Sequence, residues 1–329
     1  MRRISSVVFC VCLFLESAYA ELPITRNVVS EVAKAHGFFV GQALTMDLIK
    51  RQHPSLARDA NLLELEFKLV YGDAESAAAQ YLGSLYKDKW DATKDRIYTE
   101  TASNLPSTLS RQDALVFLEL VQARIEGQIP SPIYEALLYL QPRYQSQPES
   151  EIGDGHWTEY FSKGAQKAQG LNIRIKLPAS WEHQPGVRPH VVQKFQSVNG
   201  HGDHQLIVLI HDLGLGPIEF TLDDFPSTVA ETAALDYLPD GATFIEGGRI
   251  VLDRIPGMWF VFDQTLPQGR HNLSLRSLAY HLYYRGKLIQ LMFMIPTAMD
   301  GVETQSDGLE VMTPLFETIA NSFTLLNQY

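Results

Sequence analysis

The sequence predicts an α+β protein in two parts, an N-terminal all-α helical domain followed by an α-β-α sandwich on a mainly antiparallel sheet. Three observations predict it. From about Arg26 to Leu140, apolar residues recur at three- and four-residue spacing with few β-branched alternations. Residues 141–155, QPRYQSQPESEIGDG, lose that period and collect Pro, Ser, Gln and Gly. Beyond Gly155 the spacing shifts to two-residue alternation and short apolar runs, the pattern of strands.

At the start of the chain, Arg2 and Arg3 precede an apolar run from Ile4 to Leu15, and Ala18-Tyr19-Ala20 places small residues where a signal peptidase reads. Residues 1–20 are therefore expected to be a secretory signal peptide cleaved after Ala20. Glu16 stops the run well short of the roughly 20 apolar residues of a membrane span. No other stretch is long enough to cross a bilayer. The mature chain is expected to be exported, periplasmic or extracellular, with no integral membrane segment after cleavage. Both cysteines, Cys10 and Cys12, fall inside the signal segment. Without them the mature chain has no disulfide, no thiol catalysis and no thiolate metal site.

The helical domain spans residues 21–140. Val28, Val32, Ala35, Phe39, Ala43 and Met46 line one stripe of a first helix, which must stop before Pro54. A second helix is expected from about Ser55 to Tyr71, with Leu62, Leu65, Phe67 and Leu69 as its apolar residues and Gly72 as its stop. Asp73 then caps a third, rich in alanine and tyrosine. Ser110 and Asp113 have the spacing of a capping box opening Ala114 to Glu126, ended by Gly127. A short helix from Ile133 to Leu140 closes the domain.

Residues 141–155 are expected to form an exposed linker, and residues 156–329 the sandwich. Leu171, Ile173, Ile175 and Leu177 alternate with polar residues as a strand with one wet face. Leu206–Ile210 and Leu288–Ile295 are almost continuously apolar, which predicts strands buried on both faces. Tyr284-Arg285-Gly286-Lys287 is a tight turn joining Ser277–Tyr284 to Leu288–Ile295 as an antiparallel hairpin. Helices are expected at Thr228–Leu235 and from Thr313-Pro314 onward, where Phe316, Ile319, Ala320 and Phe323 make a stripe that covers a sheet.

Four segments of this half carry a family resemblance: GLNIRIKLPASW at 170–181, GGRIVLDRIPG at 247–257, YHLYYRGKLIQLMF at 280–293 and PLFETIANSFTL at 314–325. In order and spacing they resemble PsbP-like domains, the PsbP/Mog/DcrB-like family. The resemblance spans residues 170–325 and leaves the helical domain without a counterpart. It implies an α-β-α sandwich and a binding or assembly role rather than an enzymatic one, although function transfers poorly across a shared fold.

Charge and motifs narrow the chemistry. The full chain carries a formal net charge of −11. Removing the signal segment leaves about −12 by the same counting. No basic patch offsets it, so nucleic acid is not an expected partner. The densest polar cluster is Gly200-His201-Gly202-Asp203-His204, followed across an apolar strand by His211-Asp212. Imidazole and carboxylate on a glycine-rich loop supply lone pairs for a divalent ion, so His201, Asp203 and His204 are the candidate metal ligands, with a polar hairpin loop as the simpler explanation. His204 and His211 lie roughly 23 Å apart along an extended strand and cannot share one site.

Other motifs are incomplete. There is no G-x-S-x-G and no H-E-x-x-H. Ser84 to Lys87 matches S-x-x-K without its companion elements. Gly214-Leu215-Gly216 lacks the third glycine of a dinucleotide turn, and Glu219 stands in its place. Trp259, Phe260, Phe262, Tyr280, Tyr283 and Tyr284 are expected to pack on the sheet. No catalytic residue and no cofactor is assigned. The sequence therefore points to an exported, non-catalytic binding or assembly protein that contacts a protein partner through its helical domain. The alternatives are an exported metal-dependent hydrolase using His201, Asp203 and His204, and a small-molecule binding module with an apolar pocket between the sheet and the helix at 314–325.

Overall fold

The computed structural model describes residues 22–227, 237–303 and 308–329. The expected signal peptide and the expected helix at 228–235 lie outside the described residues. The described chain is α+β: helices come first, then antiparallel sheets.

Helix α1 (Arg26–Gln52) is capped by Thr25, whose Oγ1 accepts from the Val28 N–H at 3.2 Å, and ends ahead of Pro54. Val28, Val32, Ala35, Phe39, Met46 and Ile49 are buried along it, but Ala43 is exposed. A 3.6-residue period carries the stripe from Phe39 to Gln42 and Met46, past position 43.

The second helix departs further from expectation. Helix α2 (Ala57–Tyr86) runs straight through Gly72 and Asp73. A helical glycine costs about 1 kcal/mol, and burying Phe67, Tyr71, Ala74, Ala78 and Leu82 on one continuous face outweighs it. The same face leaves Leu62, Leu65 and Leu69 exposed. Helix α3 (Trp90–Asn104) buries no residue, α4 (Arg111–Ile125) is capped by Ser110 as expected, and α5 (Ile133–Tyr139) is almost wholly buried at its end.

Residues 141–155, expected as an exposed linker, instead form α6 (Pro142–Ser146) and α7 (Glu149–Gly153). Pro142 begins one turn and Pro148 precedes the other, positions that proline's fixed φ favours. Gln141 and Glu151 are buried, and Ile152 packs against the core of the second half. The segment is a bracket between the halves.

The second half holds two sheets, all of whose described pairings are antiparallel. The smaller joins β1 (Trp157–Phe161), β2 (Ile173–Pro178) and β11 (Thr324–Leu325). The larger contains β3 (Glu182–Pro185), β4 (Val191–Gln196), β5 (Gln205–Asp212), β6 (Thr243–Leu252), β7 (Ile255–Gln268), β8 (His271–Tyr284) and β9 (Lys287–Met299), in the order β3-β4-β5-β9-β8-β7-β6, with β10 (Val302–Glu303) added on β9. The tight turn expected between β8 and β9 is there, with Arg285 and Gly286 at φ 47° and 71°, the left-handed pair of a primed turn.

Strands β5 and β9 alternate between buried and half-buried residues, so they are not buried on both faces as their apolar runs suggested. One face meets the main core under helix α8 (Leu309–Asn321). The other carries a smaller cluster of Phe225, Met258, Phe260, Phe262 and Tyr283. Helix α8 starts at Leu309, ahead of the expected Thr313-Pro314. Pro314 forfeits one backbone bond inside it, while buried Met312, Leu315, Phe316 and Ile319 hold the helix on the sheet. Helical and sheet halves thus have separate cores.

Candidate functional site

The turn that joins β4 to β5 reaches away from its sheet into the helical half. Val198 and Asn199 there hold consecutive left-handed conformations at φ 51° and 48°. For valine that costs on the order of 1–2 kcal/mol. Contacts hold it in place: Val198 packs on the helical core, and the Asn199 N–H donates to the Ser180 carbonyl at 2.7 Å. The Asn199 amide donates to Glu31 Oε1 at 3.2 Å.

Glu31 sits on α1 among Val28, Val32 and Ala35, and it too is buried. Its Oε2 accepts from the Tyr139 hydroxyl at 3.3 Å, and His201 Nε2 lies 3.8 Å from its Oε1. Burial raises the carboxyl above the ordinary range, against the pull of Asn199, His201 and Tyr139.

Beside this clasp lies a cavity of about 410 Å³, walled by both halves. Leu22, Pro23 and Ile24 enter from the segment before α1, and Tyr139 and Tyr144 from α5 and α6. Pro178, Ser180, Trp181, Met312 and Leu315 close it from the sheet half. Its charged groups are acidic. Glu151 of α7 accepts from the Ser180 N–H at 2.8 Å and from the Ser180 hydroxyl at 2.7 Å, and burial still pushes its carboxyl up to about 7. Asp203 reaches the wall from the β4–β5 turn, open to solvent yet crowded enough that its carboxyl is raised. Among the described residues no lysine or arginine lines the cavity.

The structure thus divides the three residues singled out as candidate ligands. Asp203 and His204 line the cavity, whereas His201 turns to Glu31. Among the described residues, no three His, Cys, Asp or Glu side chains gather closely enough to hold a metal ion. Sequence reasoning missed Glu31, Glu151 and Ser180. Glu31 was visible as an acid on the apolar stripe of α1, three residues from Val28 and four from Ala35. Glu151 was hidden in the segment read as a linker.

Other motifs find structural uses. The Ser84 hydroxyl donates to the Tyr81 carbonyl within α2. Gly214 and Gly216 take positive φ beside the β8–β9 hairpin, where the Leu213 N–H donates to the Gly286 carbonyl. Phe260, Phe262, Tyr280 and Tyr283 are buried in packing.

No protein family matches the sequence, and no curated protein matches it. Solved structures match at low identity. A protein from Bacteroides thetaiotaomicron is 8% identical over 46% of this chain and 44% of its own, with a TM-score of 0.27, so the chain spans less than half the length of that match. LpqN of Mycobacterium tuberculosis, described as involved in cell envelope biogenesis, is 12% identical over 54% of this chain and 96% of its own, with a TM-score of 0.31. The protein of unknown function PA94 from Pseudomonas aeruginosa is 13% identical over 51% and 96%, with a TM-score of 0.23. Likenesses this loose leave the function to the chain's own residues.

Proposed function

We propose that the protein is an exported, non-catalytic binding protein, a helical half seated on a PsbP-like sandwich, whose ligand site is the cavity between them. Export rests on the signal-peptide pattern of residues 1–20, and the PsbP-like assignment on the four segments of 170–325. The observation that carries the binding reading is the cavity itself. It has the volume of a ligand pocket, lies where two cores meet, and combines an apolar lining with a few fixed polar groups. Glu151, held at both oxygens by Ser180, acts as a recognition group.

Fluorescence titration of the mature chain with the neutral apolar dye N-phenyl-1-naphthylamine tests this reading. Ile24→Trp and Gln145→Trp each add bulk at the cavity wall, and each is expected to weaken the dye's binding. Equal binding by filled and unfilled chains would place the site elsewhere.

A second reading, contact with a protein partner through the helical half, is favoured by one observation. Leu62, Leu65 and Leu69 on α2 and Val116 and Leu120 on α4 are 49%, 57%, 77%, 52% and 42% exposed, on two helices that pack together. Leu62, Leu65 and Leu69 recur at three- and four-residue spacing, which aligns them as one exposed row along α2, and Val116 and Leu120 do the same on α4.

A further inference from the structure

Resting on the reading of the cavity as a ligand site, we infer that its ligand is a hydrophobic ammonium ion, an apolar chain or ring system that ends in a primary or secondary amine. The argument is charge complementarity in a half-open, mainly apolar space. Glu151 from α7 and Asp203 from the β4–β5 turn contribute carboxyls to the wall, and Glu31 on α1 lies behind Tyr139, bonded to its hydroxyl. The remaining titratable groups facing this space are His204 on the same turn, Tyr139 of α5 and Tyr144 of α6, with His201 set against Glu31. None of them is a permanent cation, and among the described residues no lysine or arginine stands in the lining.

Each alternative ligand class meets an obstacle. An anion would enter against two carboxyls. A neutral apolar molecule would strip water from the exposed Asp203 while offering it and the buried Glu151 no positive charge, and an uncompensated buried charge is costly. An ammonium head supplies the missing positive charge and donates charge-assisted hydrogen bonds. The faces of Tyr139, Tyr144 and Trp181 favour a cation over water, and Leu22, Met312 and Leu315 suit an apolar tail. The buried Glu151 carboxyl and the crowded but solvent-exposed Asp203 carboxyl are both raised, as expected of acids that lack a cation.

Calorimetric titration at pH 7.5 with three chains of equal length separates the possibilities: n-octylamine, n-octanol and n-octanoate. The inference expects octylamine to bind at least ten-fold tighter than octanol, and octanoate to bind more weakly than either. Glu151→Gln and Asp203→Asn should each weaken octylamine about ten-fold. Octanol should bind no more weakly to either variant, because an amide in place of a carboxylate removes the desolvation cost, and circular dichroism of both variants reports that they fold. Equal binding of amine and alcohol, or tighter binding of octanoate, would overturn the ammonium assignment while leaving the cavity as a site. Failure of all three beside intact dye binding would do the same. Failure of all three and of the dye would remove the binding reading itself.

Discussion

The Asn199 side chain, on a turn of the sheet half, donates to the Glu31 carboxylate on the first helix at 3.2 Å, across 168 positions of sequence. This contact ties the two cores together and gives the buried acid a second donor beside the Tyr139 hydroxyl. Asn199 pays for the contact with a left-handed backbone, which asparagine tolerates better than most residues.

That geometry predicts an order of stability. Asn199→Gly keeps the backbone conformation and loses only the bond to a buried carboxylate, a cost of about 1.5–3 kcal/mol. Asn199→Ala loses the bond and adds about 1–2 kcal/mol of backbone strain. Urea unfolding should rank wild type above glycine and glycine above alanine. An alanine variant as stable as the glycine variant would refute the strained clasp.

Glu151 predicts a pH dependence of stability. Its carboxyl is raised from 4.5 to about 7 in the folded chain, so the folded state binds the extra proton between those values. Its stabilising contribution is complete below pH 4.5 and is lost as pH rises to about 7. Glu151→Gln removes the titration. The stability of wild type relative to this variant should therefore fall from pH 4.5 to 7 by roughly 3 kcal/mol and then level off. A constant difference between the two across this range would contradict the burial of Glu151.

His281 acts with the opposite sign. Gln290 Nε2 donates to its Nε2 at 2.9 Å, which leaves the proton on Nδ1, buried without a partner. Burial and the neighbouring His211 push its pKa down to about 4. Its contribution is complete above pH 6.5 and disappears as pH falls to about 4, at roughly 1.4 kcal/mol per pH unit. His281→Phe should flatten that acid limb in thermal melts. An unchanged acid limb would show that another group drives it.

The exposed stripe of the helical half predicts function without stability. Leu65→Glu with Leu69→Glu should change unfolding free energy by less than about 0.5 kcal/mol, because neither side chain is in the core. A photo-crosslinker at position 65 should capture a defined partner in the native host, and the double variant should lose it. A crosslinker on α3, at Asp91, should not capture that partner. Equal capture from both helices would remove the stripe as a docking surface.

Much of the fold was legible because local rules and burial agreed. The α1 stripe, the Ser110 cap, the alternation of Leu171 to Leu177 and the Arg285-Gly286 turn each combine a short-range signal with a consistent tertiary role. Where they conflicted, packing won. Gly72 failed to stop α2 because Phe67, Tyr71 and Ala74 needed one continuous face, and Pro314 failed to start α8 because Met312 already lay in the core. The linker reading failed because 141–155 has no period of its own, and its helices are held by contacts with both halves.

The candidate site was less legible than the fold. The glycine-rich loop from Gly200 to His204 was conspicuous, but the cavity forms only when Tyr139, Glu151, Trp181 and Leu315 meet. No sequence spacing links residues that far apart.

The most direct test is a crystal structure of the mature chain with n-octylamine. The account predicts the amine nitrogen within hydrogen-bond distance of Glu151 or Asp203, with its tail against Met312 and Leu315. An amine bound outside this cavity, or an empty cavity at saturating amine, would contradict it.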